Sequence, residues 1–172
     1  MNKKIEVLFD EKKIAKRVKE IGSQIDKDFP DGDLVVIGVL KGSLLFMADL
    51  IRAIKRPLRC DFLRVSSYQN DQDTGVIRME FDITQSIEGK HVLLVEDIVD
   101  SGKTLKHLIA HIKTKDPASL KVASLLYKDR GIDNRKLVDY LGFDVPDRYV
   151  VGYGLDSQGL YRSLPYIGVI DN

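Results

Sequence analysis

The sequence predicts an α/β fold in which an open, mainly parallel, twisted sheet is flanked by helices. Three largely apolar runs, of the kind found in strands buried on both faces, are Leu34–Leu40, Val92–Val95 and Leu120–Tyr127. The first two lead through a short glycine-containing loop into a segment with apolar residues at helical spacing. Strands that alternate with helices in this way favour a parallel sheet.

Length and composition restrict the class of protein. The chain has 172 residues, which is enough for one domain with a sizeable core. Its 27 basic and 26 acidic residues nearly cancel, which argues against a general nucleic-acid binder. Cys60 is the only cysteine, so we expect no disulfide framework. The sequence has no recognisable signal peptide or membrane-spanning run, and we therefore expect a cytoplasmic protein with no membrane partner.

The amino-terminal third of the chain predicts two helices around the first buried strand. Asp10 can cap a helix that ends near Phe29 and carries one apolar face, formed by Ile14, Val18, Ile21 and Ile25. After a turn at Asp31-Gly32, the strand Leu34–Leu40 runs into Lys41-Gly42-Ser43. The apolar residues that follow predict the second helix.

The middle of the chain predicts two strands joined by a long polar loop. Pro57 precedes a strand at about residues 59–65, and residues 66–75 hold a single aromatic side chain and no other large apolar group. Residues 76–83 alternate well enough to form a return strand. Further along, we expect residues 131–144 to be polar connecting chain and residues 165–170 to close the sheet.

The segment 92–104 combines a buried strand, an acidic pair and a polar loop. Glu96 and Asp97 come where the apolar run ends, and a helix opens with Ser101, Gly102, Lys103 and Thr104. Unpaired N–H groups and the helix dipole form an anion site there, which suits a phosphate. The acidic pair suits sugar hydroxyls or a hard cation such as Mg²⁺. Asp100 lies between the two and can transfer a proton, with a plain helix N-cap as the alternative interpretation.

Two other motifs invite different functions and are rejected. Gly102-Lys103-Thr104 ends like a Walker A phosphate loop, but that motif needs a glycine five positions before Gly102, where Asp97 stands. His107 and His111 have the spacing of a zinc-binding pair. They fall opposite the apolar face of their helix, and leucine occupies the position of the glutamate in His-Glu-x-x-His, so we expect solvated surface.

The order of buried strand, two acids, two residues, aspartate and small polar loop resembles the phosphoribosyl diphosphate (PRPP) signature of type I phosphoribosyltransferases. Val-Glu-Asp-Ile-Val-Asp-Ser-Gly-Lys-Thr, residues 95–104, is most similar to the hypoxanthine-guanine members. The resemblance covers nearly the whole chain and is weakest over residues 1–30 and 131–143. It implies that Asp100 is the catalytic acid/base and that PRPP with its 5′-phosphate is bound by Glu96, Asp97, Asp100, Ser101, Gly102, Lys103 and Thr104.

The same resemblance assigns the pyrophosphate contacts of PRPP. Lys41 and Gly42 match the pyrophosphate loop, in which the peptide entering the lysine is often cis. Ser67 and Tyr68 match the head of a flexible flap, about residues 66–80, that closes over the substrates. Arg162 matches an arginine that pairs with pyrophosphate, a role for which a rigid guanidinium fork is well suited.

The resemblance also assigns a purine pocket near the carboxyl terminus. Lys128 matches the lysine that donates to the 6-oxo group, and Tyr149 matches the aromatic residue that stacks on the base. Val150 would face the purine edge through its backbone, and Asp156 would lie near a second metal and the 2-amino edge of guanine. The implied metal ligands are therefore Glu96, Asp97 and Asp156. Residues 1–172 would form one phosphoribosyltransferase domain with a purine-binding hood from about 145–172 and amino-terminal contributions to it.

The implied activity is purine salvage by Mg²⁺-dependent transfer of the 5-phosphoribosyl group from PRPP to N9 of hypoxanthine or guanine. The products would be IMP or GMP and pyrophosphate, and members of this family are commonly dimers or tetramers. One alternative is a phosphoribosyltransferase for xanthine, adenine or a pyrimidine, which Lys128 with Tyr149 disfavours. The other is an RNA-binding regulator on the same fold, which the near-neutral charge disfavours.

Overall fold

The computed structural model describes residues 4–29, 31–67, 77–130 and 134–170. The described strands are β1 (Ile5–Phe9), β2 (Leu34–Leu40), β3 (Arg59–Ser67), β4 (Ile77–Phe81), β5 (His91–Val99), β6 (Ser119–Lys128), β7 (Tyr140–Val145), β8 (Val150–Val151) and β9 (Ile167–Ile170). The helices are α1 (Glu11–Asp28), α2 (Leu44–Ala53) and α3 (Lys103–Lys113), with a short 3₁₀ helix at Arg135–Leu137. No described helix is long and apolar enough to cross a membrane.

The large sheet confirms the predicted open α/β architecture. Its strand order is β4-β3-β2-β5-β6-β7, and every neighbouring pair is parallel except β3 with β4. The central strands are apolar on both faces because each face is covered. Val36 and Leu93 belong to one core cluster with residues of α1 and α2, whereas Val35 and Leu94 belong to the other with residues of α3. This placement explains the unbroken apolar runs in the sequence.

A second sheet of three strands, in the order β1-β9-β8, corrects one expectation and adds a strand that was not predicted. β9 pairs antiparallel with both neighbours, so residues 165–170 complete this small sheet and not the large one. β1 was not predicted at all, since its exposed lysine- and glutamate-flanked sequence carries no clear strand signal. The aromatic rings of Phe9 and Phe143 stack with centroids 4.1 Å apart, which attaches the end of β1 to β7 of the large sheet.

β7 corrects the expectation of polar connecting chain over residues 131–144. Tyr140, Leu141 and Val145 are buried there, and the strand pairs in parallel with the last part of β6. The error arose because β7 is short, contains Gly142 and the exposed Asp144, and shows no regular alternation of apolar and polar residues.

β5 is also longer than its apolar run. It continues through the acidic pair to Val99 because β6 lies beside it for that whole length, with Glu96 opposite Ser124 and Val99 opposite Tyr127. Pairing with β2, on the other side, reaches only Val95. Glu96 and Asp97 therefore lie where β5 still pairs with β6 but no longer with β2.

The start of α1 agrees with its sequence signal, whereas one histidine of α3 differs from the expectation. Asp10 caps α1 and accepts a hydrogen bond of 2.8 Å from the backbone N–H of Lys13. His107 is exposed as expected, but His111 is half-buried, and its Nε2 lies 2.8 Å from Oδ2 of Asp82. This pairing replaces the solvated surface expected at His111.

Candidate active site

The carboxyl ends of three parallel strands bring most of the predicted site residues to one edge of the large sheet. The loop after β2 carries Lys41 and Gly42, the end of β5 carries the acidic pair, and β6 ends at Lys128. A cavity of about 230 Å³ lies at this edge, lined by residues 96–102, Thr104 and Leu105. Open α/β sheets bind their ligands at such an edge.

The acidic pair is arranged to receive a positive charge. Glu96 is buried, and its Oε2 has no hydrogen-bond partner among the described residues. Burial raises the pKa of Glu96 well above its usual value, and the neighbouring Asp97 carboxylate raises it further. An orphaned, buried acceptor beside a second carboxylate fits a hard divalent cation. The described residues hold no cluster of three or more His, Cys, Asp or Glu side chains that could bind a metal without other ligands.

The loop after β2 lies directly against the acidic pair. The Leu40–Lys41 peptide bond is cis, which confirms the expectation from the family resemblance. A Cβ placed on Gly42 would lie 1.5 Å from Oδ2 of Asp97, so any other residue there would displace the Asp97 carboxylate. A Cβ on Gly154 would lie 2.1 Å from the carbonyl oxygen of Gly42, which shows that the carboxyl-terminal segment closes over the same loop. Lys41 itself is exposed.

The phosphate loop, residues 101–104, connects β5 to α3. Gly102 has a φ of +72°, a left-handed conformation that glycine adopts without strain, and Lys103 begins the helix. The amide of Asn134 lies against this loop, and its Nδ2 donates to the carbonyl oxygen of Ser101 over 2.7 Å. Sequence reasoning missed Asn134 because it stands in a stretch that was interpreted as polar connecting chain.

Asp100 lies between two cationic side chains. Its Oδ2 is 3.9 Å from Nζ of Lys128, and its Oδ1 forms an ion pair with Nε of Arg130. Arg130 also reaches Asp147, with 2.9 Å between Nη2 and Oδ1. Arg130 is the second residue that sequence reasoning missed, and the only signal for it was its position two residues beyond the end of β6. The network links the candidate acid/base to the segment that precedes Tyr149.

The carboxyl-terminal segment places the remaining predicted residues together. The ring of Tyr149 is 44% exposed and available to stack on a ligand, while its hydroxyl donates to the carbonyl oxygen of Asp156 over 3.1 Å. Val150 is buried in β8. Arg162 Nη2 lies 2.6 Å from Asp156 Oδ1, and its Nη1 donates to the carbonyl oxygen of Gly154. Arg162 therefore reaches the Lys41–Gly42 loop through Gly154.

The structure does not test the two predicted flap contacts of the pyrophosphate. Tyr68 lies outside the described residues, as does most of the proposed flap. Ser67 is the last residue of β3, where it pairs with Ile77 of β4.

Comparison with known proteins identifies the family. The model of the phosphoribosyl transferase domain matches residues 4–158. A hypoxanthine-guanine phosphoribosyltransferase of Dictyostelium discoideum is 48% identical over 168 residues, covering 95% of this chain and 93% of the relative. One from Bacillus subtilis is 45% identical over 165 residues, covering 95% and 92%.

Solved structures agree with these relatives. A crystal structure of a hypoxanthine-guanine phosphoribosyltransferase from Bacillus anthracis, with HEPES in the active site, superposes with a TM-score of 0.91 at 43% identity over 99% of this chain and 100% of that one. A hypoxanthine phosphoribosyl transferase of Trypanosoma cruzi gives 0.92 at 41% identity, over 99% and 93%. The chain belongs to the phosphoribosyltransferase family, among its hypoxanthine-guanine members.

Proposed function

We propose that this protein is a purine-salvage enzyme that transfers the 5-phosphoribosyl group of PRPP to N9 of hypoxanthine or guanine. The products are IMP or GMP and pyrophosphate. The observation that carries the proposal is the meeting of three groups at one sheet edge: the Gly42 loop against Asp97, the phosphate loop, and Asp100 beside Lys128. These groups suit the pyrophosphate, the 5′-phosphate and the base of one substrate pair.

The two phosphate ends of PRPP bind to different loops. The N–H groups of residues 101–104 hold the 5′-phosphate at the start of α3, where the helix dipole favours an anion. Lys41, Gly42 and Arg162 bind the pyrophosphate, with Ser67 and Tyr68 closing over it. Fixing both ends positions the anomeric carbon and supplies binding energy away from the bond that breaks.

Asp100 acts at the base. Lys128 and Arg130 fix its carboxylate, from which it hydrogen-bonds N7 of the purine as general acid/base. Lys128 donates to the 6-oxo group, so a single lysine both orients Asp100 and selects a 6-oxopurine. Tyr149 stacks on the ring, and the backbone of Val150 and the carboxylate of Asp156 lie at the far edge of the base.

Glu96 and Asp97 hold the ribose hydroxyls and a Mg²⁺ ion, with Asp156 near a second one. When bound, Mg²⁺ neutralises the charge that grows on the pyrophosphate leaving group. The unpaired acceptor of Glu96 and the proximity of Gly42 to Asp97 support this assignment. Removal of Mg²⁺ with EDTA is expected to stop turnover, and addition of Mg²⁺, but not of a matched concentration of NaCl, to restore it.

Residues 1–172 form one catalytic domain in this proposal, with a flap at about 66–80 and a hood from about 145–172. The small sheet supports the hood assignment, because its central strand β9 pairs with β8 on one side and with amino-terminal β1 on the other. We also propose a homodimer or homotetramer, which sedimentation equilibrium would measure.

A spectrophotometric assay with PRPP and Mg²⁺ tests the substrate class. Hypoxanthine, guanine, xanthine and adenine are offered separately, and nucleotide formation from the first two is expected. Turnover of adenine alone would contradict the role of Lys128. Absence of turnover with every base, while PRPP still binds, would refute the proposed reaction and leave a regulator on this fold to be tested by salt-dependent RNA binding.

A further inference from the structure

Asn134 is a fully buried polar residue next to the phosphate loop. Its side chain is 0% exposed, although it follows the undescribed residues 131–133 in a connection rich in charged residues. Burying an amide is costly unless it forms hydrogen bonds. One bond is made, from Nδ2 to the carbonyl oxygen of Ser101, whereas Oδ1 has no partner among the described residues.

The contact with Gly102 shows how closely Asn134 is fitted to the loop. A Cβ on Gly102 would lie 2.5 Å from Cγ of Asn134 and 2.6 Å from Nδ2. The amide therefore occupies the space that any other residue at position 102 would need. Glycine is favoured at position 102 for two reasons: its φ of +72°, and the closeness of the Asn134 side chain to where a Cβ would lie.

The hydrogen bond to Ser101 has a consequence for the next N–H group. In a trans peptide group, the C=O and the N–H point in opposite directions. Asn134 binds the carbonyl of the peptide that joins Ser101 to Gly102, from the interior side of the loop. The N–H of Gly102, in the same peptide group, is thereby turned away from Asn134, and Ser101 and Gly102 both line the cavity at the sheet edge.

We infer that Asn134 is a positioning residue for the 5′-phosphate: by anchoring the carbonyl of Ser101, it orients the N–H of Gly102 towards the phosphate of PRPP and of the nucleotide product. This inference rests on the proposed function, because the anion at the loop is taken to be that phosphate. Asn134 does not touch substrate, and its effect passes through one peptide group.

Comparison of IMP with inosine as inhibitors isolates the phosphate contribution. Both carry the same base and ribose, so the ratio of their inhibition constants reports the 5′-phosphate alone. Asn134→Asp keeps the shape of the side chain but replaces the donor with an acceptor facing the Ser101 carbonyl. We expect this variant to weaken inhibition by IMP about tenfold or more, which is the effect of losing one well-oriented hydrogen bond to a charged group. Inhibition by inosine and the KM for hypoxanthine are expected to be unchanged.

Two further variants separate positioning from stability. Asn134→Ser, which removes the amide without adding charge, should show the same selective loss even if Asn134→Asp folds poorly. Tyr140→Phe removes another hydrogen bond of a buried side chain, the 2.6 Å bond to Asp28, at a distance from the loop. It should lower Tm but leave the ratio of the inhibition constants of IMP and inosine at the wild-type value.

The outcomes distinguish this inference from the proposed function. A wild-type protein that does not prefer IMP to inosine would refute the phosphate site itself. A wild-type protein with that preference, and Asn134 variants that keep it while losing only Tm, would show that Asn134 is merely structural and overturn the inference. Selective loss of the preference in both Asn134 variants would support it.

Discussion

Asp100, in the loop after β5, and Lys128, the last residue of β6, lie 3.9 Å apart between Oδ2 and Nζ. They are separated by a helix and a strand in the sequence and meet because β5 and β6 are parallel neighbours that end at the same edge. In the proposed complex, the carboxylate would face N7 of the purine and the ammonium group its 6-oxo group. Their separate substitution should therefore affect different parts of the reaction.

Asp100→Asn removes the proposed proton-transferring carboxylate but keeps its shape. We expect kcat to fall by roughly 10²-fold or more, because the amide cannot exchange a proton with N7. PRPP binding should survive, since the phosphate loop and acidic pair are intact. Steady-state kinetics and PRPP titration check both parts.

The matched control is Asp116→Asn at the opposite end of α3. Asp116 has a φ of +50°, which asparagine tolerates well, so this substitution also replaces a carboxylate without a backbone penalty. It should leave kcat unchanged. Near wild-type turnover in Asp100→Asn would mean that another group handles the proton.

Lys128→Met tests selection of the base. The methionine keeps the bulk of a side chain that is only 10% exposed but cannot donate to the 6-oxo group. We expect kcat/KM for hypoxanthine and guanine to fall by about 10²-fold, as for loss of a charged hydrogen bond in a buried site. The preference of these bases over adenine should shrink accordingly in the same base panel.

Lys121→Met is the control on the same strand. Lys121 pairs with Asp28 at 2.8 Å, near the other end of β6. Its loss should affect Tm only. If the two lysine variants had equal effects on kcat/KM, the base-selective role of Lys128 would be wrong.

Gly42→Ala tests the contact between the pyrophosphate loop and the acidic pair. The added Cβ would fall 1.5 Å from Asp97 Oδ2 and must displace it. We expect KM for PRPP and the Mg²⁺ concentration for half-maximal activity to rise by about tenfold or more, because the displaced carboxylate is a proposed ligand. Gly89→Ala has free space but a φ of +65°, so it should lower Tm and leave both constants alone. Unchanged constants in Gly42→Ala would argue against the Asp97 assignment.

A pH-dependent contribution to stability is expected from Asp28, away from the site. Hydrogen bonds from Lys121 and then from the Tyr140 hydroxyl lower the pKa of Asp28 in the folded protein. A folded pKa below the unfolded one stabilises the fold at neutral pH, and the contribution is lost as pH falls through the folded pKa. Asp28→Asn should therefore lower Tm by roughly 1–3 °C at pH 7, the range for a largely exposed pair.

The difference between wild type and Asp28→Asn should vanish once the pH lies below the lowered pKa of Asp28 in the folded protein, because the carboxyl group is then protonated in both the folded and the unfolded states. Thermal unfolding at a series of pH values measures it. The exposed Asp31, replaced by asparagine, gives the background for losing one negative charge. A difference that stays constant down to acid pH would show that Asp28 acts through shape and not through its charge.

Local patterns were sufficient to predict the large sheet and the central motif. Leu34–Leu40 is apolar on both faces because helices cover both, and Asp10 caps α1 through a bond to Lys13 that depends on no distant residue. β1 and β7 were missed because neither shows a clean alternation of apolar and polar residues, and only pairing with β9 and β6 makes them strands. Local propensity does not encode which partner will be available.

The sequence by itself determined the family resemblance and the chemical character of three groups: an acidic pair, a small polar phosphate loop and a lysine at the end of a strand. Tertiary structure alone decided which of these groups meet. Arg130 contacts both Asp100 and Asp147, and Asn134 contacts Ser101. The contacts with Asp100 and Ser101 join residues that are 30 or more positions apart in the sequence. Hydrogen bonds and ion pairs act over a few ångströms of space, so their partners are set by the packing of strands and loops.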